Sequence, residues 1–340
     1  MNEPIIELKG LTKSYGSVRA VDQLDLTIYK GEIFGLLGPN GAGKTTSILM
    51  MLGLTEPTAG TAYVCGKNAT RNPIGVKKKV GYLPDNVGFY DSMTALENLS
   101  FIARLNGHAP LDAEKKAISM LEQVGLSNDI HKKTGAYSRG MKQRLGLADV
   151  LIKDPEVVIL DEPTLGIDPS GVSEFLALIK QLSRQQGLTV LLSSHHLQQV
   201  QRVCDRVGIF VGGKLLVEGN IDTLARNLLN KEGYTTSVSL QEVYQDTQLF
   251  ESALYRLEGV RTVAVRGDVI ETVCDRDMTP EIVRTLVNNG ADIVAVHKKD
   301  YALDDIYEKY FENNKTENYT HEKSDRLFGK SLFRKRKSNV

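Results

Sequence analysis

The sequence lacks several features that would each indicate a particular class of protein. It has no excess of charge, because 42 Lys and Arg residues balance 42 Asp and Glu residues, and nothing global therefore favours nucleic acid as a partner. Its three cysteines have no C-x-x-C spacing, which argues against a disulfide framework or a zinc site. No apolar run approaches the roughly eighteen residues that cross a bilayer, and the first ten residues do not resemble a signal peptide. We expect no membrane-spanning segment.

The most informative stretch that is present is GPNGAGKTT at residues 38–46, which fits the phosphate-loop pattern G-x-x-x-x-G-K-[ST]. An apolar run at 33–37 predicts a buried strand before it, and 47–54 predicts a helix after it. In that context backbone N–H groups surround phosphate oxygens, Lys44 reaches the β and γ phosphates, and Thr45 binds Mg²⁺. The alternative is a chance match, which the flanking strand and helix disfavour. The predicted nucleotide contacts in this stretch are Gly38, Pro39, Asn40, Gly41, Ala42, Gly43, Lys44, Thr45 and Thr46.

A second run, VVILDEP at 157–163, places two carboxylates at the end of a predicted buried strand, where α/β sheets bind their ligands. We predict that Asp161 binds Mg²⁺, directly or through water, and that Glu162 takes a proton from an attacking water. The strand predicted at 189–192 leads to His195, which could contact a γ phosphate. The alternative for His195 is a packed or capping role. For His196, the next residue, we prefer that packed or capping role.

The remaining pattern predicts an interrupted sheet. Strands are expected at 5–11 and 20–28 as an antiparallel pair, then at 61–64 and 80–83. Tyr15, in the loop between the first two, could stack on a nucleotide base. Helices are expected at 94–106 and 112–125, with Thr94 and Asp112 as N-caps. A further helix ending at 151 starts near Ser138 and Gly140, and its start is either an anion site or a simple cap.

The part after residue 220 has a different character. Segments at 235–240, 249–257, 260–265, 269–274, 280–288 and 293–296 alternate as strand, helix, strand, strand, helix, strand, which is the ferredoxin-like order. Thr279 and Pro280 are expected at N-cap and N1 of its second helix. Residues 221–234 are predicted to form a linking helix, 303–311 a final helix, and 313–340 a disordered tail whose basic end could touch anionic lipid or remain solvated.

Over about residues 4–220 the order of these motifs closely resembles the nucleotide-binding domain of ABC ATPases. Tyr15 matches the aromatic loop, 38–46 Walker A, Asp85 the Q-loop position, 137–141 the signature loop and 157–162 Walker B. Asp168 falls in the D-loop and His195 at the switch histidine. The resemblance implies that two such domains enclose two Mg-ATP head to tail, with Ser138, Gly140 and Asp168 contributing across the dimer. A homodimer or a paired homologous ATPase is then required.

Two departures from the family pattern matter, one in the signature loop and one at the Q-loop position. The signature reads YSRGM where the family favours LSGGQ, so Arg139 replaces a glycine while Ser138 and Gly140 are kept. Asp85 replaces the Q-loop glutamine and adds a negative charge near Asp161, which Mg²⁺ could absorb. We expect nucleotide binding to survive both changes, and coupling and turnover to be affected by Asp85.

The resemblance extends to function. The segment after 220, with ALDDIYEKYF near its end, resembles ATPases of type-two ABC exporters. It implies an ATP-hydrolysing subunit at the cytoplasmic face of the cell membrane, bound peripherally through a separate transmembrane permease, with no nucleic acid as partner. A soluble ABC ATPase acting on ribosomes or DNA is an alternative. The stretch at 81–99 also looks similar to the ATPase of a transporter that helps mature nitrous-oxide reductase.

The predicted architecture is therefore an α/β P-loop NTPase domain of ABC type at 1–220, with an antiparallel β subdomain and a helical subdomain at about 88–150. A linker helix at 221–234 leads to a small α+β ferredoxin-like domain at 235–312. The basic-ended tail occupies 313–340.

Overall fold

A computed structural model describes residues 3–224, 233–244 and 247–298 of the chain. The chain divides into two units, Met1–Asn220 and Ile221–Val340.

Residues 4–29 form a long antiparallel hairpin, as their alternating apolar pattern predicts. Strand β1 (Pro4–Tyr15) pairs with β2 (Val18–Tyr29), and the chain then leaves this sheet in β3 (Ile33–Leu37). It returns in β4 (Ala59–Val64), which pairs antiparallel with β1, and in the short β5 (Lys67–Asn68). The result is a separate four-stranded sheet in the order β2-β1-β4-β5. This sheet is the antiparallel β subdomain that the sequence predicts, and the antiparallel pairing of its first two strands is confirmed.

The central sheet has six strands in the order β10-β9-β3-β8-β7-β6. The further strands are β6 (Val80–Leu83), β7 (Val157–Asp161), β8 (Thr189–Ser194), β9 (Arg206–Val211) and β10 (Lys214–Gly219). All pairs are parallel except β9 with β10. Every residue of β3, β7 and β8 is buried, as expected for strands covered on both faces. Their carboxyl ends therefore meet at one edge.

Seven helices accompany these sheets in the described part of the first unit. They are α1 (Lys44–Met51), α2 (Pro73–Lys77), α3 (Ala95–Leu105), α4 (Pro110–Gln123), α5 (Arg139–Leu151), α6 (Pro169–Gln186) and α7 (Leu197–Gln201). Thr94 caps α3 in a capping box with Glu97, as predicted. The prediction of Asp112 as an N-cap is wrong, because Pro110 begins the helix with Ala109 at the N-cap. Asp112 instead lies in the first turn, where a carboxylate complements the helix dipole.

The second unit contains β11 (Tyr234–Leu240), α8 (Gln248–Tyr255), β12 (Val260–Arg266), β13 (Val269–Cys274), α9 (Thr279–Asn288) and β14 (Ile293–Lys298). Its strands form an antiparallel sheet in the order β12-β13-β11-β14, which is the predicted ferredoxin-like arrangement. Its core includes Val238, Phe250, Ile270 and Ile282. Helix α9 begins one residue before the predicted N1, because Thr279 is helical and its hydroxyl donates to Asp277 rather than capping.

Three predictions lie partly or wholly outside the described residues. Residues 221–224 are helical, but most of the predicted linking helix, at 225–232, lies beyond the description, as do the final helix at 303–311 and the tail at 313–340. In the part of the chain that is described, no helix has the length and apolar character needed to cross a membrane. Cys65, Cys204 and Cys274 are all free thiols.

Candidate active site

A crowded glycine loop carries the chain from the end of β3 into α1. Gly43 has a φ of 106°, and a Cβ there would lie 2.2 Å from the carbonyl oxygen of Ala20. A Cβ on Gly38 would lie 2.1 Å from the carbonyl oxygen of Phe210. Both positions exclude a side chain, since the obstructing atoms belong to the backbone. The loop ends at the N-terminus of α1, where unpaired N–H groups and the helix dipole favour an anion.

The side chain of Lys44 folds back over this loop. Its Nζ donates hydrogen bonds to the carbonyl oxygens of Gly38, at 2.7 Å, and of Pro39, at 3.2 Å. The same atom lies 3.2 Å from Glu162 Oε1, and the lysine side chain is only 5% exposed. The ammonium group is thereby held beside the glycine loop.

The carboxylate of Asp161 is fixed by two hydroxyl groups. Thr45 Oγ1 donates to its Oδ2 at 2.8 Å, and the hydroxyl of Ser193 donates to its Oδ1. Asp161 and Ser193 are register partners at the ends of β7 and β8, and Asp161 is 3% exposed. The hydrogen bond from Thr45 therefore links the first turn of α1 to the carboxylate at the end of β7.

Glu162 has an unusual backbone conformation, with a φ of 47°. Its N–H donates to the carbonyl oxygen and to the hydroxyl of Ser193, both at 3.2 Å. Its Oε2 lies 2.8 Å from Nδ1 of His195, while its Oε1 lies near Lys44 without a well-aligned hydrogen bond. A non-glycine residue in this region costs about 1–3 kcal/mol and is found where the surrounding structure needs it, often at active sites.

These groups open into one cavity of about 410 Å³. Eleven of its lining residues were predicted from the sequence, namely Asn40, Gly41, Ala42, Gly43, Lys44, Thr45, Thr46, Asp85, Asp161, Glu162 and His195. Three others, Ala20, Tyr82 and Leu165, were not. Burial, together with the charges of Asp161 and Asp85, raises the pKa of Tyr82 to about 12, so its phenol stays protonated and can donate to an anion.

Six predicted residues do not line this cavity. Two of them, Gly38 and Pro39, stand at the start of the glycine loop, where their carbonyl oxygens accept from Lys44 Nζ. The prediction of Tyr15 in a loop is wrong, because β1 continues through Tyr15, which pairs with Val18. Its side chain is 52% exposed, with the ammonium of Lys13 at 5.1 Å from the ring centroid. Ser138 is the N-cap of α5 and accepts from the N–H of Met141. Asp168 caps α6 by accepting from Gly171 N at 3.0 Å. Gly140 lies in the first turn of α5, against Ile167.

Comparison with known proteins assigns the chain to a family. The family model described as ABC transporter matches residues 21–165. The chain is 36% identical to the bacitracin transport ATP-binding protein BcrA of Bacillus licheniformis, over 90% of this chain and 96% of that protein. This chain belongs to the ABC transporter ATP-binding proteins. It is also 37% identical to the linearmycin resistance ATP-binding protein LnrL of Bacillus subtilis, over 66% of this chain and 72% of that protein.

Solved structures agree with this assignment of an ABC ATPase. The structure of cbiO1 from Clostridium perfringens, described as part of the ABC transporter complex cbiONQ, superposes with a TM-score of 0.61 at 28% identity, over 67% of this chain and 94% of that one. The predicted P-loop NTPase fold is confirmed. The chain is an ATPase whose hydrolysis is coupled to transport, and it works with separate transmembrane components.

The donor atoms at the end of β7 suit a magnesium ion in this ABC ATPase. Mg²⁺ prefers oxygen ligands and is commonly bound by one or two carboxylates together with substrate phosphates. Thr45 and the nearly buried Asp161 supply a hydroxyl and a carboxylate side by side, and Asp85 lines the same cavity. Among the described residues no group of three or more His, Cys, Asp or Glu side chains is placed to hold a metal.

His196, which follows His195 in this ABC ATPase, has a different environment from that residue. The ring of His196 lies 3.9 Å from that of His195, centroid to centroid, and its backbone N–H donates to Ser194 Oγ. Burial, with His195 beside it, lowers the pKa of His196 although Glu162 opposes the shift. This environment favours the neutral ring. The side chain is exposed rather than packed, and His196 stands at the N-cap of α7 without a side-chain capping hydrogen bond, so the packed or capping role predicted for it is not observed.

Proposed function

We propose that the chain binds Mg-ATP in the cavity behind residues 38–46, dimerises head to tail and drives export through a separate permease at the cytoplasmic face of the membrane. The observation that carries the proposal is the position of Glu162, held between Lys44 and His195 at the mouth of the phosphate loop. Positioning and charge neutralisation supply most of the catalysis in phosphoryl transfer. One cavity here holds Glu162 and His195, which can position the attacking water, and Lys44, which can neutralise phosphate charge.

Each side chain has a role that its contacts support. Lys44 moves from Glu162 and the loop carbonyls to the β and γ phosphates. Thr45 and Asp161 hold Mg²⁺, which neutralises phosphate charge when it is bound. Glu162 accepts a proton from the attacking water, and its hydrogen bond to His195 keeps its carboxylate turned towards the γ phosphate. Asp85 is either a further ligand of the ion or a link to the permease.

Three predicted residues outside the cavity favour the proposal that the protein dimerises. Ser138, Gly140 and Asp168 lie near one another, at the starts of α5 and α6, and Gly140 contacts the segment that precedes Asp168. None of them lines the chain's own cavity. In the proposed dimer they contact the nucleotide that a second copy, or a paired homologous ATPase, holds in its phosphate loop.

The names of the relatives support a substrate class. BcrA is named for bacitracin transport and LnrL for linearmycin resistance, and the match to BcrA includes both units of this chain. We therefore propose an antibiotic as cargo. These names favour an exporter over an ATPase that acts on ribosomes or DNA, and over a transporter for maturation of nitrous-oxide reductase.

A trapping experiment tests the proposal. Glu162→Gln protein with Mg-ATP is used to capture partners from detergent-solubilised membranes, with Lys44→Ala protein as the matched control. Recovery of a multi-spanning protein by Glu162→Gln alone is expected. Recovery of ribosomes or DNA, or of the same proteins by both variants, would contradict it.

The role of Asp85 has its own test. Asp85→Gln restores the residue that the family favours, and it should change either the basal ATPase rate or its stimulation by the permease, because the charge beside Asp161 is lost. If neither rate changes, Asp85 belongs neither to the ion site nor to the coupling path.

A further inference from the structure

Arg139 begins α5 at the signature position where the family favours glycine. Helix formation does not explain an arginine there, because a positive side chain in the first turn opposes the positive end of the helix dipole. Ser138 already caps the helix. The reason for the arginine must lie in what its side chain contacts.

The guanidinium group of Arg139 joins two walls of the ATP cavity. Its Nη2 donates to the carbonyl oxygen of Asp85 at 2.6 Å, and its Nε donates to the carbonyl oxygen of Leu165 at 3.3 Å. Asp85 and Leu165 both line the cavity. A planar guanidinium with several fixed donors can hold two such acceptors at once, which an ammonium group cannot do with the same geometry.

A path of hydrogen bonds leads from Arg139 through Leu165 to Glu162, the proposed base. The N–H of Leu165 donates to the carbonyl oxygen of Glu162 at 3.1 Å, so two hydrogen bonds separate Arg139 from Glu162. A Cβ on Gly166 would lie 3.6 Å from Arg139 Cγ, so this segment also packs against the aliphatic part of the arginine. Since Glu162 has a strained φ of 47°, it needs such support to keep its orientation.

We propose that Arg139 is a positioning residue for ATP hydrolysis, which fixes Glu162 by holding the carbonyl groups of Leu165 and Asp85. The inference rests on the proposed role of Glu162 as the base. It also gives the signature loop an effect inside its own chain: a shift of α5 towards a second copy's nucleotide would pull on the segment that orients Glu162.

The test compares three variants of the full-length protein with the wild type, by steady-state ATP hydrolysis and thermal unfolding. Arg139→Ala should lower kcat by about 10–100-fold, because a misplaced catalytic group costs up to about 10² in rate, while KM changes by less than about twofold. Arg139→Lys should recover part of the loss. The control is Arg144→Ala, on the same helix, which removes bonds to Val124 O and Glu174 far from the cavity and should leave kcat near that of the wild type.

Two results would overturn the inference. One is a kcat of Arg139→Ala within about twofold of the wild type, and the other is an equal loss in Arg144→Ala, which would indicate a merely structural effect. If Arg139→Ala does not fold, Arg139→Lys decides, since a wild-type kcat in that variant would equally refute a need for the two-carbonyl clamp. Glu162→Gln is measured alongside: wild-type turnover there refutes the proposed base, whereas an inactive Glu162→Gln with a fully active Arg139→Ala refutes only the role of Arg139.

Discussion

Replacing Glu162 by glutamine should make the protein bind nucleotide more tightly while it hydrolyses ATP more slowly. Lys44 Nζ lies 3.2 Å from Glu162 Oε1, and in the proposed mechanism it exchanges this partner for a phosphate. Glu162→Gln removes the competing charge and leaves the two loop carbonyls as acceptors. The same substitution removes the proton acceptor that the attacking water needs.

The size of the two effects follows from the geometry. Two unit charges at this distance attract by roughly 5 kcal/mol at an effective dielectric of about 20. The net interaction is much smaller, because the two loop carbonyls also hold the ammonium and its pair with Glu162 has no well-aligned hydrogen bond. We take the net interaction between Lys44 and Glu162 as about 1–2 kcal/mol. Removing this competition corresponds to about 5–30-fold tighter nucleotide binding. Removing one preorganised electrostatic group lowers kcat by about 10²–10³.

Calorimetric titration with a non-hydrolysable ATP analogue and Mg²⁺ measures the affinity without turnover. Glu174→Gln is the matched control, because Glu174 pairs with Arg144 at an exposed position outside the cavity. The reasoning is refuted if Glu162→Gln binds the analogue no more tightly than the wild type, even if its turnover is lost.

Three further predictions concern other parts of the structure. Gly43→Ala should weaken nucleotide binding at least about 100-fold, because the new Cβ would meet the Ala20 carbonyl oxygen at 2.2 Å and the φ of 106° is strained for alanine; wild-type affinity by calorimetry would contradict this. Asn98 is 2% exposed and takes part in four hydrogen bonds, so Asn98→Ala should lower the free energy of unfolding by about 2–4 kcal/mol, and an unchanged urea midpoint would refute it. Burial raises the pKa of Asp149 to about 6, above its unfolded value, so the stability linked to this carboxyl is present below about pH 4 and lost as pH rises through about 6. Asp149→Asn should therefore stabilise the protein by about 1–3 kcal/mol at pH 7.5 and hardly at all at pH 4, and an equal gain at both pH values would argue against the buried charge as the cause.

The parts of the site that are contiguous in sequence could be predicted because their chemistry and their local structure share one motif. The phosphate loop, Asp161 and Glu162 each follow a buried strand that the apolar pattern reveals. Parallel strands bring their carboxyl ends to one edge, so the proximity of these residues follows without knowing the strand order. The predicted bounds of the elements differ by a few residues from those observed, at strand ends as well as helix ends.

Residues that reach the site by tertiary packing left no such signal. Ser193 binds both Asp161 and the backbone of Glu162, but a serine at a strand end has many ordinary uses. Ala20 lies on a strand of the other sheet and enters the cavity wall because the glycine loop packs against it. The link from Arg139 to Asp85 spans 54 positions. Such contacts depend on how subdomains pack, which periodicity and spacing do not encode.

The solution mass of the Glu162→Gln protein tests the central proposal most directly. Light scattering with size separation would be run with Mg-ATP, with Mg-ADP and without nucleotide. Two chains that enclose two ATP molecules should have twice the monomer mass with Mg-ATP alone, and Ser138→Glu in the same background should return the protein to the monomer mass. A monomer at every concentration, in protein shown by calorimetry to be saturated with Mg-ATP, would contradict the account.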